Sequence, residues 1–498
     1  MEAVTARPPA VAAGRRGGAL TSASTVAFAI LVAVTIAGLG GLGGLGGRLF
    51  AVVFVAAATV AGLVAYYRAP ARYVVFVFAL WFFTPFVRRV VDLHHGFQPA
   101  SFVLMAPVLV TLIAMLTVVY RARELRGALM YPFGFMLTGV LYGFFIGVLK
   151  NGMFPATYAL LTWVGPISFS MHLILSWRTL PELRKALLDF LQWTVPVLGA
   201  YGIYQVVALP SWDRYWMVAA NMGSIGMPVP FAFRAFGTMN SPGPYAVALV
   251  VGMLFLFSAA RRGMVISLTL ALIALLLTRT RSGWVALVMG LFIIQFMGPL
   301  RRATRNWFFI ILMGLVAVPV LSLDVFRDSI TLRLLSFTAL EDDNSVRQRV
   351  MLSNLAVQEI GRRAEGEGLG STGGAVKIST DVGRLASIDN GFLEIFYVLG
   401  WPGGCMVMMG LLGQLMTLAR FRDSRQDAFA NAARAVFWAF MAVLLIGDIF
   451  SGATGAMFWG AYGFACSAHA YNYALGTGLR SRQLARDFGV STPTATGG

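Results

Sequence analysis

Long apolar runs dominate this chain, and short polar connections separate them. A helix that crosses a membrane needs about 20 mostly apolar residues. Fourteen segments approach that length: 24–43, 49–67, 73–87, 101–120, 129–149, 156–176, 187–209, 244–260, 264–278, 284–299, 307–323, 392–419, 435–450 and 453–475. The pattern therefore predicts an all-α, polytopic bundle of about 12–14 transmembrane helices.

Two polar connections are much longer than the rest, 210–243 and 324–391. The second divides the chain into a tail (1–23), a first bundle (24–323), the loop (324–391), the last helices (392–475) and a second tail (476–498). Within this loop, Val346, Val350, Val357 and Ile360 share one helical face, which predicts an amphipathic helix over 345–362. The Gly-rich stretch 365–374 is expected to turn sharply.

Composition supports a membrane protein. Hydrophobic residues make up 58% of the chain and charged residues only 12%, whereas a soluble domain carries about 25% charged residues. The net charge of +18 does not indicate nucleic-acid binding, because most basic residues lie between apolar runs. Cys405 and Cys466 lie inside apolar runs, which argues against a disulfide framework or a metal site.

The basic residues also orient the predicted helices. Loops on the cytoplasmic side of a membrane are enriched in Lys and Arg. If the N-terminal tail is cytoplasmic, so are the connections that contain Arg121, Arg178, Arg261, Arg301 and Arg420, together with the C-terminal tail. Both long loops, 210–243 and 324–391, are then expected on the outer face.

Several arginines do not fit this rule, because the same alternation places them at the outer face. They are Arg88, Arg89, Arg234, Arg279, Arg281, Arg327, Arg333, Arg347 and Arg349. Arginine binds phosphate through a planar fork of donors and stays charged, so an anionic ligand such as a lipid-linked pyrophosphate is one explanation. The alternative is that these side chains reach lipid headgroups or pair with Asp92, Asp213 or Asp324.

Four motifs on this outer face occur in a recognisable order. A helix ends in TRTRSGW at Thr278–Trp284, and SVRQRVML places Arg349 at the start of the amphipathic helix. GEGLGSTGG then supplies Gly366, Gly368 and Gly370, and SIDNGFLE carries Asp389 and Asn390 into the next helix. In this order the chain resembles the O-antigen ligase/polymerase superfamily of bacterial membrane glycosyltransferases. RAFGTMNSP and FVRRVVD are similar to motifs of its exopolysaccharide members.

This resemblance implies a GT-C-like bundle in the bacterial inner membrane, with its active face in the periplasm and one large periplasmic loop. It implies a metal-independent glycosyltransferase without a cofactor that polymerises oligosaccharide repeat units carried on undecaprenyl pyrophosphate. Its partners would be this donor, a glycan acceptor, the bilayer, and a flippase and chain-length regulator, but no nucleic acid. Arg281, Arg349 and Asp389 are the candidate catalytic residues. Candidate substrate-binding residues are Arg88, Arg89, Arg234, Arg279, Arg347 and Asn390.

Other interpretations remain open at this point. A ligase that transfers finished glycan to lipid A-core uses the same donor, although ligase-like members often have His where this chain has Asp389. A secondary transporter or flippase is a further alternative. Asp389 can also serve as a cap for the helix entered at Phe392. Glu394 near that helix start and Asp448 near a membrane boundary are further acidic candidates, for which structural pairing is the alternative.

Overall fold

The computed structural model describes residues 47–259, 263–297, 300–321, 344–377, 385, 388, 390–421, 427–445 and 447–476, together with Val32 and Thr35. Within these ranges the structure is built from helices, and no β-strand is formed there. The predicted all-α bundle is therefore confirmed. The first predicted span, 24–43, lies outside the described residues.

The first half of the described chain contains nine α-helices, which we number in chain order. They are α1 (Gly47–Arg68), α2 (Pro70–His95), α3 (Met105–Leu112), α4 (Met115–Tyr120), α5 (Tyr131–Asn151), α6 (Met153–Leu175), α7 (Leu180–Ala208), α8 (Ser211–Ala219) and α9 (Pro242–Ala259). A short 3-10 helix, Phe102–Leu104, leads into α3. Helices α3 and α4 together fill the span predicted at 101–120.

The second half continues with α10 (Met264–Leu277), α11 (Arg281–Met297), α12 (Leu300–Leu321), α13 (Asn344–Arg362), α14 (Gly391–Arg420), α15 (Ala428–Val443) and α16 (Gly452–Gly476). Each predicted span from 49–67 onward corresponds to a helix or a helix pair. Helix α13 confirms the helix predicted at 345–362; of its predicted apolar face, Ile360 is buried, whereas Val350 and Val357 are each 54% exposed.

Length and apolar composition allow eight of the described helical segments to cross a membrane. They are Gly47–Arg68, Pro70–His95, Phe102–Tyr120, Tyr131–Asn151, Met153–Leu175, Trp177–Ala208, Pro242–Ala259 and Gly391–Arg420. Helices α10, α11 and α15 are also apolar but shorter. Several of these helices approach closely through glycine; a Cβ atom on Gly139 of α5, for example, would overlap the carbonyl oxygen of Gly403 on α14. The chain is thus a multi-pass membrane protein with a close-packed helical core.

The polar connections meet at one end of this bundle, which we call the loop end and define by residues 96–101, 209–241 and 363–377. Helices α2, α5, α7 and α10 end here, and α6, α9, α11, α14 and α16 begin here. The loops contact these helix ends directly: Arg88 of α2 binds the carbonyl of Gln98, and the amide of Leu369 binds the carbonyl of Gly143 on α5. The described parts of both long connections, 210–241 and 363–377, therefore lie at one end, which agrees with the predicted alternation.

Other basic residues lie at the opposite end. Arg121 donates to the carbonyl of Leu175 (2.6 Å), and Arg184 forms an ion pair with Asp427. Arg434 donates to the carbonyl of Phe421 (2.9 Å). The described part of the chain therefore separates two groups of arginines, one at each end of the bundle.

Candidate functional site

The loop end contains a chamber of about 540 Å³ to which all three loops contribute, and we call it the large chamber. Helix α2 provides Arg88, and helix α6 provides Phe154, Thr157, Tyr158 and Leu161. The remaining wall consists of Pro99, Ala100, Ser101, Phe102, Leu104, Met105, Trp216, Met222, Asn240, Ser241 and Gly374. Residues far apart in the sequence are therefore brought together around one space.

Arg88 is the basic residue in this wall. Its side chain is 5% exposed and pairs with Asp92 one helical turn later, with 3.2 Å between Nε and Oδ2. It also donates to the carbonyl of Gln98 (2.5 Å) and lies 5.5 Å from the centre of the Phe97 ring. The pairing with Asp92 was one of the alternatives open from the sequence. It stabilises the guanidinium in a largely apolar wall.

The chamber wall combines two chemically different kinds of residue. Ser101, Tyr158, Asn240 and Ser241 offer hydroxyl and amide groups, whereas Phe102, Leu104, Met105, Phe154, Leu161 and Met222 offer apolar surface. Phe154 and Phe102, two of these apolar residues, are 81% and 45% exposed. An elongated ligand with one charged and one apolar part suits such a wall.

A second, smaller chamber of about 190 Å³ lies beside the large one. The two share Tyr158 and Gly374 in their walls. The small chamber is also lined by two carboxylates, Glu394 from the first turn of α14 and Asp448 from the connection between α15 and α16. The structure thus brings together two acidic residues that are 54 positions apart in the sequence.

Both carboxylates accept local hydrogen bonds. The hydroxyl of Thr372 donates to Oε1 of Glu394 (2.8 Å). Asp448 accepts from the amide of Phe450 (2.8 Å) and from the hydroxyl of Ser451 (2.5 Å). Burial raises the pKa of the Asp448 carboxyl above its ordinary value, and these two hydrogen bonds oppose that rise.

Arg89 lies next to Arg88 in the sequence but in a different environment. It is fully buried, and its Nε atom lies 3.1 Å from Oδ1 of Asp213, which is also fully buried. Its terminal nitrogens donate to the carbonyls of Met239 and Gly237, both at 2.6 Å. Arg89 therefore holds the 209–241 loop against α2. It does not line either chamber described above.

The sequence placed Arg88 and Arg89 after a helix that ended near residue 87. Helix α2 instead continues through Pro85 to His95, and His94 and His95 form its last turn. The reason is electrostatic: Asp92 and Asp213 compensate the two guanidinium groups, so a helix containing both can remain inside the bundle.

Arg234 and Arg279 join the same loop to the turn between α10 and α11. Arg234 donates to the carbonyl of Thr278 and to the hydroxyl of Thr280, both at 3.0 Å. Arg279 donates to the carbonyl of Phe231 (3.0 Å) and has a φ of +52°, a strained value for a residue with a side chain. The RAFGTMNSP and TRTRSGW motifs are thus in direct contact, and Arg281 begins α11 beside them.

The glycines of GEGLGSTGG serve a second loop–helix contact. Gly366, Gly368 and Gly370 have φ values of +81°, +79° and +97°, which glycine adopts without steric cost. A Cβ on Gly366 would overlap the backbone of Gly400, and one on Gly368 would overlap that of Gly147. The predicted sharp turns are confirmed, and the loop enters the space between α5 and α14.

Helix α14 is interrupted where it receives this loop. Gly400 has φ +62° and ψ −175°, and Pro402 follows. The carbonyls of Tyr397 and Val398 accept hydrogen bonds from the amides of Glu367 and Gly368, both at 2.8 Å. The amide of Trp401 donates to the carbonyl of Ala364 (2.8 Å). The loop therefore supplies partners that the helix loses at its kink.

Arg347 and Arg349 belong to α13, but their side chains lie outside the part of the chain that the structure describes. Asp389 lies wholly outside the described residues. Asn390 is described: its Oδ1 atom accepts from the amides of Phe392 (3.0 Å) and Leu393 (3.2 Å) and caps α14. The helix cap expected at this point is thus made by Asn390.

Sequence reasoning missed several residues of the chambers. Tyr158 and Thr157 lie inside an apolar run, where nothing marks them as wall residues. Asn240 and Ser241 precede Pro242 in a pattern that is also typical of an ordinary helix start. Among the described residues, no group of three or more His, Cys, Asp or Glu side chains is arranged to hold a metal ion. No protein-family model and no curated protein sequence matches this chain.

Proposed function

We propose that this protein is a membrane glycosyltransferase that polymerises oligosaccharide repeat units carried on undecaprenyl pyrophosphate. The observation that carries this proposal is the large chamber, whose wall combines Arg88 and several polar groups with apolar side chains. A polyprenyl diphosphate has this same combination of a charged head and an apolar chain. The motif order that resembles the O-antigen ligase/polymerase superfamily supports the same function.

The proposed binding mode follows from the wall chemistry. The guanidinium of Arg88 faces the diphosphate with the donors that Asp92 and Gln98 leave available, and hydrogen bonds from a guanidinium to phosphate are strengthened by charge. Ser101, Asn240 and Ser241 add neutral polar contacts. The polyprenyl chain leaves the chamber past Phe102 and Phe154, which are both exposed. In this mode the bacterial inner membrane holds the substrate, and the loop end faces the periplasm.

The proposed reaction is a transfer from carrier lipid to acceptor sugar. Negative charge develops on the diphosphate as its bond to the anomeric carbon breaks. Fixed guanidinium groups stabilise that charge, and removal of one such donor typically lowers a rate by ~100-fold or more. Arg88 is our first candidate from the structure. Arg281, Arg349 and Asp389 remain candidates from the resemblance.

Deletion of the gene followed by glycan analysis tests this function. A polymerase predicts that carrier lipid with single repeat units accumulates and that long polymer is lost. Long polymer that remains on the carrier lipid would instead indicate a ligase, and an unchanged glycan profile would overturn both assignments.

Substitution of single arginines tests the site in the same strain. Arg88→Gln and Arg281→Lys are each expected to lower polymer yield at least ~10-fold, because each alters a fixed cation at the loop end. The matched control is Arg178→Gln, which removes an exposed cation near Trp177 at the opposite end and should leave polymer yield unchanged. Immunoblots of the membrane fraction measure how much of each variant accumulates, and polymer yield is compared per amount of protein.

A further inference from the structure

The small chamber differs from the large one in its charge, although the two are neighbours. Glu394 and Asp448 line the small chamber, and Arg88 lines the large one. Two carboxylates repel a diphosphate, and that repulsion is strong where little water screens it. The small chamber is therefore a poor site for the charged head of the donor, and a ligand without negative charge fits it better.

Its walls suit a neutral polyhydroxylated ring. Carboxylate oxygens accept hydrogen bonds from hydroxyl groups, and here two carboxylates arise from different parts of the fold. Tyr158 and Trp163 belong to the same wall, and Trp163 is fixed by stacking on Phe450 at 6.0 Å between ring centres. Apolar C–H groups of a sugar ring can pack against aromatic side chains. A volume of about 190 Å³ accommodates about one ring.

The position of the chamber links this ligand to the donor. Tyr158 and Gly374 belong to both walls, so a ring in the small chamber lies beside whatever occupies the large one. Gly370, Thr372 and Gly373 of the glycine-rich loop complete the wall. Helix α14 and the docked loop therefore hold Glu394 of the small chamber at a fixed position relative to Arg88 of the large chamber.

From this juxtaposition we propose that the small chamber is the acceptor subsite, which binds one sugar ring of the acceptor glycan through Glu394 and Asp448. This inference rests on the proposed glycosyltransferase function and deepens it. Asp448 is held by Phe450 and Ser451 and orients the ring by accepting hydrogen bonds from its hydroxyls. Glu394 lies in the first turn of α14, where the helix dipole stabilises a carboxylate, and it contacts the reacting hydroxyl.

The reaction step balances without any further reactant. The acceptor hydroxyl oxygen forms a bond to the anomeric carbon of the donor glycan. The bond between that carbon and the diphosphate oxygen breaks, and its electron pair leaves with the diphosphate. The proton of the acceptor hydroxyl moves to the carboxylate of Glu394. Arg88 lies on the side where the negative charge appears, and Glu394 lies on the side where the proton is released.

Binding measurements on the full-length protein in lipid nanodiscs test the proposal with two probes. One probe is undecaprenyl pyrophosphate. The other is the oligosaccharide that mild acid releases from the lipid-linked intermediates of the same strain. Glu394→Gln and Asp448→Asn should each weaken binding of the oligosaccharide at least tenfold and leave binding of undecaprenyl pyrophosphate within twofold of the wild type.

Two further variants test whether an effect on binding is specific to the small chamber or reflects a general loss of structure. Thr162→Leu fills the small chamber without changing either carboxylate, and it should also weaken oligosaccharide binding alone. Glu359→Gln removes an acidic residue of α13 that pairs with Arg362 and Arg363 and lines neither chamber. It should bind both probes like the wild type.

The outcomes separate this inference from the function on which it rests. Wild-type oligosaccharide binding in both carboxylate variants and in Thr162→Leu, with normal binding of undecaprenyl pyrophosphate, would overturn the acceptor subsite and leave the proposed function standing. A wild-type protein that binds neither probe would overturn both. A turnover of Glu394→Gln that is more than tenfold lower at saturating oligosaccharide would support its role as the proton acceptor, and an unchanged turnover would refute that role.

Discussion

Two loops dock on the loop end of the bundle, but different contacts hold each of them. One is the 209–241 loop, and the other is the glycine-rich loop, which we call the 363–374 loop. Side chains hold the first: buried Arg89 binds two of its carbonyls, and Gln205 binds the amides of Phe236 and Gly237 at 3.0 and 2.8 Å. The backbone of the second loop makes most of its contacts, through hydrogen bonds with the backbone of Gly143, Tyr397 and Val398, and its carbonyls also accept from the side chains of Lys150 and Asn151. The first loop supplies one wall of the large chamber, and the second supplies one wall of the small chamber.

This difference decides which changes each loop tolerates. A buried charge network depends on a few side-chain atoms, and loss of one partner leaves the other charge unpaired. A backbone contact does not depend on side-chain identity except where a side chain would block it, which here means the glycines. The 209–241 loop should therefore be sensitive to polar substitutions, and the 363–374 loop should be sensitive to the smallest addition of bulk.

The largest effect is expected from Arg89→Met. This change leaves Asp213 buried with only the hydroxyl of Tyr201 and the amide of Gln205 as partners, both at 2.7 Å. Removal of one member of a buried ion pair typically lowers the free energy of unfolding by about 3–5 kcal/mol. Thermal melts of the purified protein should show this loss, and proteolysis should cleave within 209–241 sooner than in the wild type.

A second substitution in the same network distinguishes charge from packing. Asp213→Asn removes the uncompensated charge and keeps groups that can bond with Tyr201 and Gln205. The double variant Arg89→Met with Asp213→Asn should therefore be more stable than Arg89→Met alone. If the double variant is as unstable as the sum of both single variants, the charge network does not hold this loop.

Gly368→Ala is expected to have the next largest effect. The new Cβ would meet the backbone of Gly147, and the residue would keep a φ of +79°. Positive φ costs about 1–2 kcal/mol for a residue with a side chain, and overpacking adds about 1–3 kcal/mol. Hydrogen–deuterium exchange at residues 367–369 should be accelerated by at least ~30-fold, because about 2 kcal/mol of local stability is lost and each 1.4 kcal/mol is about tenfold.

Gly361→Ala is the matched control for this prediction. Gly361 lies within α13 and has open space where a Cβ would point. Alanine is favoured over glycine inside a helix by about 0.5–1 kcal/mol. Exchange at 367–369 should stay at the wild-type rate in this variant. Equal acceleration in Gly361→Ala and Gly368→Ala would show that the close approach to α5 is not what fixes the loop.

Hydrophobic pattern was sufficient to predict the helices, because their apolar runs have the length that a membrane imposes. It did not predict their ends: α2 continues eight residues beyond the predicted end at 87, to His95. That extension depends on Asp213, which lies 124 residues after Arg89 in the sequence. A long-range ion pair of this kind leaves no periodic signal near the residues that it stabilises.

The site was predicted in part. The charge pattern along the sequence correctly predicted four arginines at the loop end, Arg88, Arg89, Arg234 and Arg279. The pattern could not show that Arg88 lines a chamber whereas the other three hold loops. The sequence did not predict that the residues of the small chamber lie together. Glu394 and Asp448 were each noted from the sequence, yet only the packing of α14, α16 and the glycine-rich loop places them around one space.

The smallest effect is expected at the exposed side of the 363–374 loop, from Glu365→Gln. Lys150 donates to Oε1 of Glu365 (3.0 Å) and to the carbonyl of Gly366 (2.7 Å). Solvent screens this pair, whose side chains are 28% and 49% exposed, and exposed pairs contribute little. We expect the melting temperature at pH 7 to fall by no more than about 1 °C.

Acidification sharpens this last prediction, because the pKa of Glu365 is lowered by a hydrogen bond with its own backbone and by Lys150. A carboxyl whose pKa is lower in the folded chain stabilises the fold above its unfolded pKa of about 4.3 and loses that contribution as the pH falls through the folded pKa. The difference in melting temperature between wild type and Glu365→Gln should therefore be constant above about pH 5 and vanish at lower pH. A difference that grows on acidification, or one as large as that of Gly368→Ala at pH 7, would mean that side-chain charge rather than backbone contact holds this loop as well.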